Sequence, residues 1–102
     1  MIRNWHRDAR TRIYVGSPND THQITAEYLS RIHSWAADIH LTGYTVYDSG
    51  VHGFWEGTGE QTVIVEIMGH SPNGEQLQIL RQKLNQQALF ITTEPVLAQL
   101  VS

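Results

Sequence analysis

Apolar and polar residues alternate with period two near the start of the chain. Within residues 10–15, Ile13 and Val15 fall on one face and Tyr14 on the other, and a cluster of turn formers follows at 16–20. Alternation that ends in glycine, proline and asparagine is typical of a β-strand. We therefore expect a first strand that ends at this turn.

A helical period follows the turn. Asp20 or Thr21 can cap the N-terminus of this helix, because Gln23 lies three residues after Asp20, as in a capping box. Apolar side chains then recur at helical spacing and form one stripe, which consists of Tyr28, Ile32, Trp35, Ala36 and Ile39. The stripe predicts an amphipathic helix that packs on a sheet.

The middle of the chain returns to residues that favour strands. Residues 44–47 predict a second strand, and residues 61–68 predict another with apolar side chains on both faces. Between them, 50–59 contains four glycines around the adjacent Phe54 and Trp55, which predicts the loop of a long β-hairpin. A strand that is apolar on both faces is central in its sheet. Helices would cover one side of it, and a partner subunit would cover the other.

A second helix and a last strand complete the pattern. A stripe of leucines predicts a helix over about 75–85, after a loop that contains proline, asparagine and glycine. Residues 88–93 favour a strand. Pro95 restricts the C-terminal segment, 95–102, to an edge strand or a short helical tail, and the pattern leaves both alternatives open.

The order strand, helix, strand, strand, helix, strand predicts one α+β domain over 1–102. Its expected fold is ferredoxin-like, βαββαβ, with a four-stranded antiparallel sheet and both helices on one face. No helix remains to cover the opposite face. Small domains often bury such a surface against another copy of themselves, so we expect a homo-oligomer, either a dimer or a trimer.

The formal net charge of −3 is unevenly distributed. The first 12 residues carry four arginines and one aspartate, which leaves the rest of the chain with a net charge of −6. The acidic body argues against nucleic acid as a partner, since nucleic-acid binders present a basic face. The basic N-terminal arm, 1–9, is either a solvated terminus or a contact for a phosphate or an acidic partner. No apolar run approaches the ~20 residues of a membrane span, and no apolar leader precedes the domain. We therefore expect a cytoplasmic protein without a membrane partner.

Most side chains that could hold a ligand lie in or beside the predicted hairpin. Glycine allows a backbone to approach a ligand closely, tryptophan offers a flat stacking surface, and a histidine and a glutamate that converge can exchange protons. The candidate ligand-binding residues are Tyr47, Asp48, His52, Trp55, Glu56 and Glu60. In the alternative interpretation the glycines form turns and the aromatic residues pack on the sheet or on a neighbouring subunit.

The sequence contains no signature of a metal or cofactor site. None of its six histidines forms an H-x-H or H-E-x-x-H pattern, and His33 and His40 would be about 10.5 Å apart along a helix. The glycines of 50–59 lie between two strands, whereas a dinucleotide fingerprint opens a helix. There is no cysteine and no G-x-S-x-G nucleophile sequence. We therefore predict neither a metal nor a cofactor.

Three short segments resemble a known group of proteins: GYTVYD at 43–48, GFWEG at 53–57, and Glu60 followed by VIV at 63–65. They resemble small ferredoxin-like bacterial proteins of the PII-like and CutA-like kind, together with uncharacterised relatives. The resemblance implies a trimer that binds a nucleotide or another small anion between subunits, with a hairpin loop that signals to a partner. The chain carries neither the long charged loop of the PII proteins nor basic residues around its hairpin.

Two main hypotheses of function follow. The first is an oligomeric, non-enzymatic binding module that senses a small anionic or aromatic ligand, or a protein partner, through the hairpin 50–59. The second is a small cofactor-independent enzyme of the dimeric α+β barrel type, with Tyr47, His52 and Glu60 around an apolar pocket between sheet and helices. A roomy apolar pocket at His52 or Glu60 would favour the enzyme, and a filled sheet–helix core would count against it. A purely structural role is the third alternative.

Overall fold

The computed structural model describes residues 5–102. This part of the chain forms five strands and two helices. The elements are, in chain order, β1 (His6–Gly16), α1 (Ala26–Asp38), β2 (Thr45–Tyr47), β3 (His52–Trp55), β4 (Thr58–Met68), α2 (Gly74–Lys83) and β5 (Phe90–Ala98). Neither helix in the described part has the length and apolar character needed to cross a membrane.

The strands form one antiparallel sheet with β1 and β4 at its centre. The order is β2-β4-β1-β5, and β3 pairs with the first four residues of β4. Each central strand is followed by a helix and then by an outer strand on the far side of the other central strand. This interleaving defines the split βαβ arrangement. The predicted α+β, ferredoxin-like architecture is therefore confirmed.

The number of strands differs from the expected four. Residues assigned to a hairpin loop pair as strands instead, with His52 opposite Gln61 and Trp55 opposite Thr58. Pairing satisfies backbone donors and acceptors that an unpaired loop would leave to water. The added strand β3 therefore lengthens the sheet beyond Gly16, the last residue of β1.

Alternation along the central strands separates a buried face from an open one. Ile13 and Val15 of β1 pair with Val65 and Val63 of β4, and all four side chains are fully buried. Burial of each aliphatic side chain of this size stabilises the fold by about 1.5–3 kcal/mol. Both helices cover this face, with the buried residues Tyr28, Ile32, Trp35 and Ala36 of α1 and Leu80 and Leu84 in and after α2. The opposite face, which we call the open face, has no described helix over it.

The first helix begins later than the predicted capping box at Asp20, and that prediction is wrong. Its N-cap is Thr25, whose hydroxyl accepts a hydrogen bond from the amide of Tyr28 at 3.1 Å. The preceding residues form a turn, in which the amide of His22 donates to the carbonyl of Pro18 at 2.8 Å. This turn leads the chain from the sheet to the helix layer, and a helix that began at Asp20 would leave no residues for it.

The second helix has the complete capping box that the first one lacks. The side chain of Asn73 accepts a bond from the amide of Gln76 at 2.8 Å, and the side chain of Gln76 accepts one from the amide of Asn73 at 3.0 Å. The indole of Trp35 donates to the carbonyl of Gln76 at 2.8 Å. The start of α2 is therefore capped locally and tied to α1.

The outer strand β5 and the start of β1 form a ribbon at the other end of the sheet. β4 ends opposite Arg10, whereas β1 and β5 continue to pair as far as His6 and Ala98. Residues 6–9 of the basic arm therefore lie in a strand, and the C-terminal segment is strand as far as Ala98. Pro95 is accommodated because β5 is an edge strand, where a missing N–H costs no ladder bond on the outer side.

Candidate functional site

Strands β3 and β4 are joined by a two-residue turn. Its central residues, Glu56 and Gly57, have φ angles of 50° and 82°. Positive φ at both central positions is the mark of a type I′ turn, which fits the twist of a two-stranded ribbon. The segment 50–59 is thus mainly a paired hairpin, which corrects the prediction of a glycine-rich loop.

A cleft of about 710 Å³ lies beside this hairpin, and we call it the open-face cleft. Its volume falls within the range of small-molecule sites, roughly 300–1,000 Å³. The residues around it come from four parts of the fold: Tyr14, Gly16 and Asn19 from β1 and the turn after it, 51–54, Glu56 and Glu60 from the hairpin, Thr62 and Ile64 from β4, and 86–90 from the segment that enters β5.

Two side chains of the cleft lie over glycines of neighbouring strands. A Cβ atom at Gly16 would come within 2.6 Å of Oε1 of Glu60, and a Cβ atom at Gly53 would collide with the hydroxyl of Thr62. Gly16 is the cross-strand partner of Thr62, and Gly53 is the partner of Glu60. Any other residue at these two positions would displace the carboxylate or the hydroxyl. The glycines therefore give these polar groups their places on the cleft floor.

A network of hydrogen bonds lies next to the carboxylate of Glu60 and reaches it through Ser17. The hydroxyl of Ser17, which is fully buried, donates to Oε2 of Glu60 at 3.2 Å. The hydroxyl of Tyr28 donates to the carbonyl of Gly16 at 2.6 Å. The side-chain amide of Gln86 donates to that tyrosine oxygen and to the carbonyl of Ser17, both at 3.0 Å. The network joins the end of β1 to α1 and to the segment before β5, and so holds one end of the cleft in place.

Tyr28 stays protonated throughout the physiological range. Burial raises its pKa from the ordinary 10.0 to about 12, and the nearby charge of Glu60 adds to the increase. The hydrogen bond from Gln86 acts in the opposite direction. Tyr28 is therefore a hydrogen-bond donor at neutral pH, and it supports the cleft from the core side.

The apolar part of the cleft is formed by the open face itself. Tyr14 of β1 is opposite both Ile64 of β4 and Phe90 of β5, so these three side chains lie in one row across the sheet. The rings of Tyr14 and Phe90 have centroids 5.9 Å apart and are tilted by 53°. An apolar row next to a carboxylate can bind a ligand with a flat body and a polar group.

The structure brings together some of the sequence candidates and leaves others apart. His52, Glu56 and Glu60 border the open-face cleft. Tyr47 ends β2 opposite Ile64, which lines the cleft, but Tyr47 does not line it, and neither does the exposed Asp48.

Trp55 ends β3, and its side chain lies outside the described part of the structure.

His52 and Glu60 do not converge as an acid–base pair. They occupy adjacent register positions, because His52 is opposite Gln61 while Glu60 is opposite Gly53. Side chains at adjacent positions of a strand pair leave opposite faces of the ribbon. The described hydrogen bond of the Glu60 carboxylate is with Ser17. This geometry therefore does not place the histidine and the glutamate within reach of each other for proton exchange.

Sequence analysis missed the residues that complete the cleft. Tyr14 and Phe90 are aromatic residues on the strand face that the helices leave open, and the alternation around Ile13 already separates Tyr14 from the core. Ser17 and Gln86 lie in the predicted turn after β1 and at the end of the second helix. The hydrogen bond between Gln86 and Ser17 joins residues 69 positions apart, and no local sequence pattern predicts such a contact.

A smaller hollow of about 490 Å³ lies beside the start of α1. Its charges include Glu27 and Arg31, which form an ion pair at 3.0 Å, so they offer little unsatisfied charge to a ligand. Among residues 5–102, no group of three or more histidine, aspartate or glutamate side chains is arranged to hold a metal ion. The open-face cleft is therefore the better candidate site.

Comparisons with known proteins give structural neighbours. No protein-family model matches the chain, and no curated protein matches it. A solved structure described as a PII-like signaling protein, from Thermus thermophilus, is 17% identical, with a TM-score of 0.48 over 94% of this chain and 92% of that one. A phage SAM lyase in complex with S-methyl-5′-thioadenosine is 14% identical, with a TM-score of 0.49 over 91% of this chain and 90% of the lyase. A PII-like protein is thus among the neighbours, as the hairpin residues predicted.

Proposed function

We propose that the chain is a small homo-oligomeric module that binds a small ligand in the open-face cleft. The observation that carries this proposal is the construction of the cleft floor. Glu60 and Thr62 each lie over a glycine of a neighbouring strand, where a larger residue would displace them. A polar floor of this kind beside an apolar row of side chains is the usual composition of a small-molecule site.

The filled core supports binding on the open face rather than between the layers. Ile32, Trp35 and Leu80 have no exposed surface, and they pack against the buried face of the sheet. The apolar pocket that the enzyme hypothesis required between sheet and helices therefore has no space. The cleft lies on the other face, where a second subunit could cover it.

Exposed apolar side chains on the open face support an oligomer. Tyr47, Met68 and Phe90 are 44%, 46% and 68% exposed, and each is opposite an open-face residue of a central strand. Large apolar surface of this kind is commonly buried in a protein–protein interface. A dimer or trimer formed through this face would shelter the cleft, and the ligand would then lie at or beside a subunit interface.

The test is a ligand screen by thermal shift on the purified protein. The panel contains nucleotides, simple anions, divalent metals, aromatic acids and aromatic amines. A ligand at 100 times its Kd stabilises the folded state by about 2.7 kcal/mol, which is a shift of several degrees for a domain of this size. We expect Phe90→Ala to abolish the shift of any hit.

Leu97→Ala is the matched control for this variant. Leu97 lies on the same strand as Phe90 and is equally exposed, at 67% against 68%, but it belongs to the terminal ribbon and not to the cleft. Equal loss of ligand binding in both variants, or in neither, would contradict the proposed site. A protein that is stable but responds to no ligand would favour a protein partner or a structural role.

A second candidate function is the cofactor-independent enzyme, which is favoured by the presence of His52 and Glu60 at one cleft. It requires a bound molecule that reaches around the β3 edge of the ribbon to both side chains, because these leave its opposite faces. Incubation of each screening hit with the protein, followed by proton NMR, decides between the functions. A binding module returns the ligand unchanged. Turnover that is lost in both His52→Gln and Glu60→Gln would favour the enzyme.

A further inference from the structure

Glu60 differs from two other carboxylates of the open face, Glu66 and Glu94, in having no described cationic partner. Glu66 accepts a bond from the guanidinium of Arg12 at 2.9 Å, and Glu94 is bonded to Arg10. The described partner of Glu60 is the neutral hydroxyl of Ser17, at 3.2 Å. Among residues 5–102, the negative charge of Glu60 is therefore not paired with a lysine or an arginine.

The lack of a described cationic partner matters because Glu60 is half-buried and so has less contact with water. A carboxylate offers about four acceptor positions, and the hydrogen bond from Ser17 uses one of them. Removing a carboxylate from water is costly unless charged or hydrogen-bonding partners replace the water. Because Gly16 has no side chain, the carboxylate of Glu60 has room to lie over it. The fold therefore keeps carboxylate oxygens that can accept hydrogen bonds from a ligand in the cleft.

The rest of the cleft favours a positive charge on a flat apolar body. Its described lining includes a second carboxylate, Glu56, and contains no lysine or arginine. The aromatic rings of Tyr14 and Phe90 form its apolar part, and the faces of such rings attract cations. An anionic ligand would meet two like charges and neither a lysine nor an arginine in this described lining.

We infer that the open-face cleft selects organic cations that carry a flat ring, with the cationic group on Glu60 and the ring against Tyr14 and Phe90. This inference rests on the proposed function and names the ligand class of the same site. It departs from the nucleotide or small anion that the PII-like resemblance implies.

Two series of probes test the inference. Within each series the ring system is the same, and the side group is a cation, a neutral group or an anion. Tryptamine, tryptophol and indole-3-acetate provide an indole with a cation, a neutral hydroxyl and an anion. 5′-Amino-5′-deoxyadenosine, adenosine and AMP provide the same contrast on a nucleoside. Isothermal titration calorimetry at pH 7 and low salt gives the Kd of each probe. We expect the cation of at least one series to bind about ten-fold or more tightly than its neutral analogue, and the anion to bind weakest.

Variants at three positions separate the effect of Glu60 from that of net charge. Glu60→Gln keeps the shape of the side chain and should remove the preference for the cation. Gly16→Ala should do the same, because its methyl group displaces the flexible carboxylate without a change in net charge. Glu75→Gln, in the first turn of α2 and outside the cleft lining, loses the same charge and should keep the preference.

The outcomes distinguish this inference from the proposed function. Equal affinity across both series, tighter binding of the anion in both, or no binding of any probe at millimolar concentration would overturn the assignment of the ligand class. If the anion binds best and Phe90→Ala abolishes its binding, the cleft remains the site while the cation assignment fails. Cation binding that survives both Glu60→Gln and Phe90→Ala would show that the cation binds elsewhere, and would overturn both the role of Glu60 and the proposed site.

Discussion

At the scale of single residues, Gly16 and Gly53 matter because they leave space for side chains of the neighbouring strand β4. Neither glycine has a positive φ, so neither is required by a turn. Their role becomes visible when a Cβ atom is placed on each, because it meets Glu60 in one case and Thr62 in the other. The sequence shows that these positions are small, but it does not show which distant side chain uses the space.

Tyr28 provides a prediction about alkaline pH at the same scale. Its pKa is about 12 in the folded protein and 10.0 when unperturbed, so between these values the unfolded chain loses the proton while the native state keeps it. The stabilisation from this tyrosine is complete below pH 10 and disappears as pH rises through 12, with a total of roughly 3 kcal/mol.

Urea unfolding of the wild type and Tyr28→Phe from pH 9 to 12 measures this contribution. The variant loses a buried hydrogen bond and should be less stable by about 1 kcal/mol at pH 9. Its stability should then fall less steeply than that of the wild type above pH 10, because the variant lacks the tyrosine hydroxyl whose pKa is higher in the folded than in the unfolded chain. Parallel curves for the two proteins would contradict the assigned role of Tyr28.

At the scale of elements, the glycine-rich hairpin shows how composition can mislead. Glycine and aromatic residues predicted a loop over 50–59, yet His52–Trp55 pairs with the start of β4. The two-residue turn makes this pairing feasible, and Gly57 is the position where it needs a glycine. Strand pairing depends on hydrogen bonds between both strands of the hairpin, whereas composition describes only which residues a segment contains.

Alanine at Gly57 and at Gly43 should have opposite effects on stability. Gly57 has a φ of 82°, so Gly57→Ala should lower the free energy of unfolding by about 1–2 kcal/mol. Gly43 has a negative φ and open space at its Cβ position, so Gly43→Ala should be neutral or stabilising by about 0.4–1 kcal/mol. Urea unfolding curves test the pair, and equal effects would contradict the assigned turn.

At the scale of the whole molecule, the split βαβ order places both helices on one face of the sheet and leaves the other face open. That face carries the cleft and the exposed aromatic residues, whereas the helix-covered face is fully buried at its centre. The arrangement makes the open face the surface through which ligand binding and self-association would be coupled.

Light scattering tests the oligomer through two matched substitutions on β5. We expect the wild type at micromolar concentration to have the mass of a dimer or trimer of the 11.6-kDa chain. Phe90→Glu should shift it towards the monomer, because a charge would be buried in the interface. Leu97→Glu, at an equally exposed position of the terminal ribbon, should leave the mass unchanged. A monomeric wild type would contradict the oligomer.

The sequence by itself determined the fold class. Strand alternation around Ile13, the helical stripe from Tyr28 and the order of elements are local patterns, and local patterns fix which element forms and which face it buries. They also identified Glu56, Glu60 and His52 as residues near one place, because the hairpin is itself local in sequence.

The tertiary structure decided what these residues form together. It bonded Ser17 to Glu60 and Gln86 to Ser17, set Tyr14 beside Phe90, and directed His52 and Glu60 to opposite faces of the ribbon. Such relations depend on strand register and on close contacts between distant segments. No period or motif encodes them, because the side chains concerned meet after the sheet has formed.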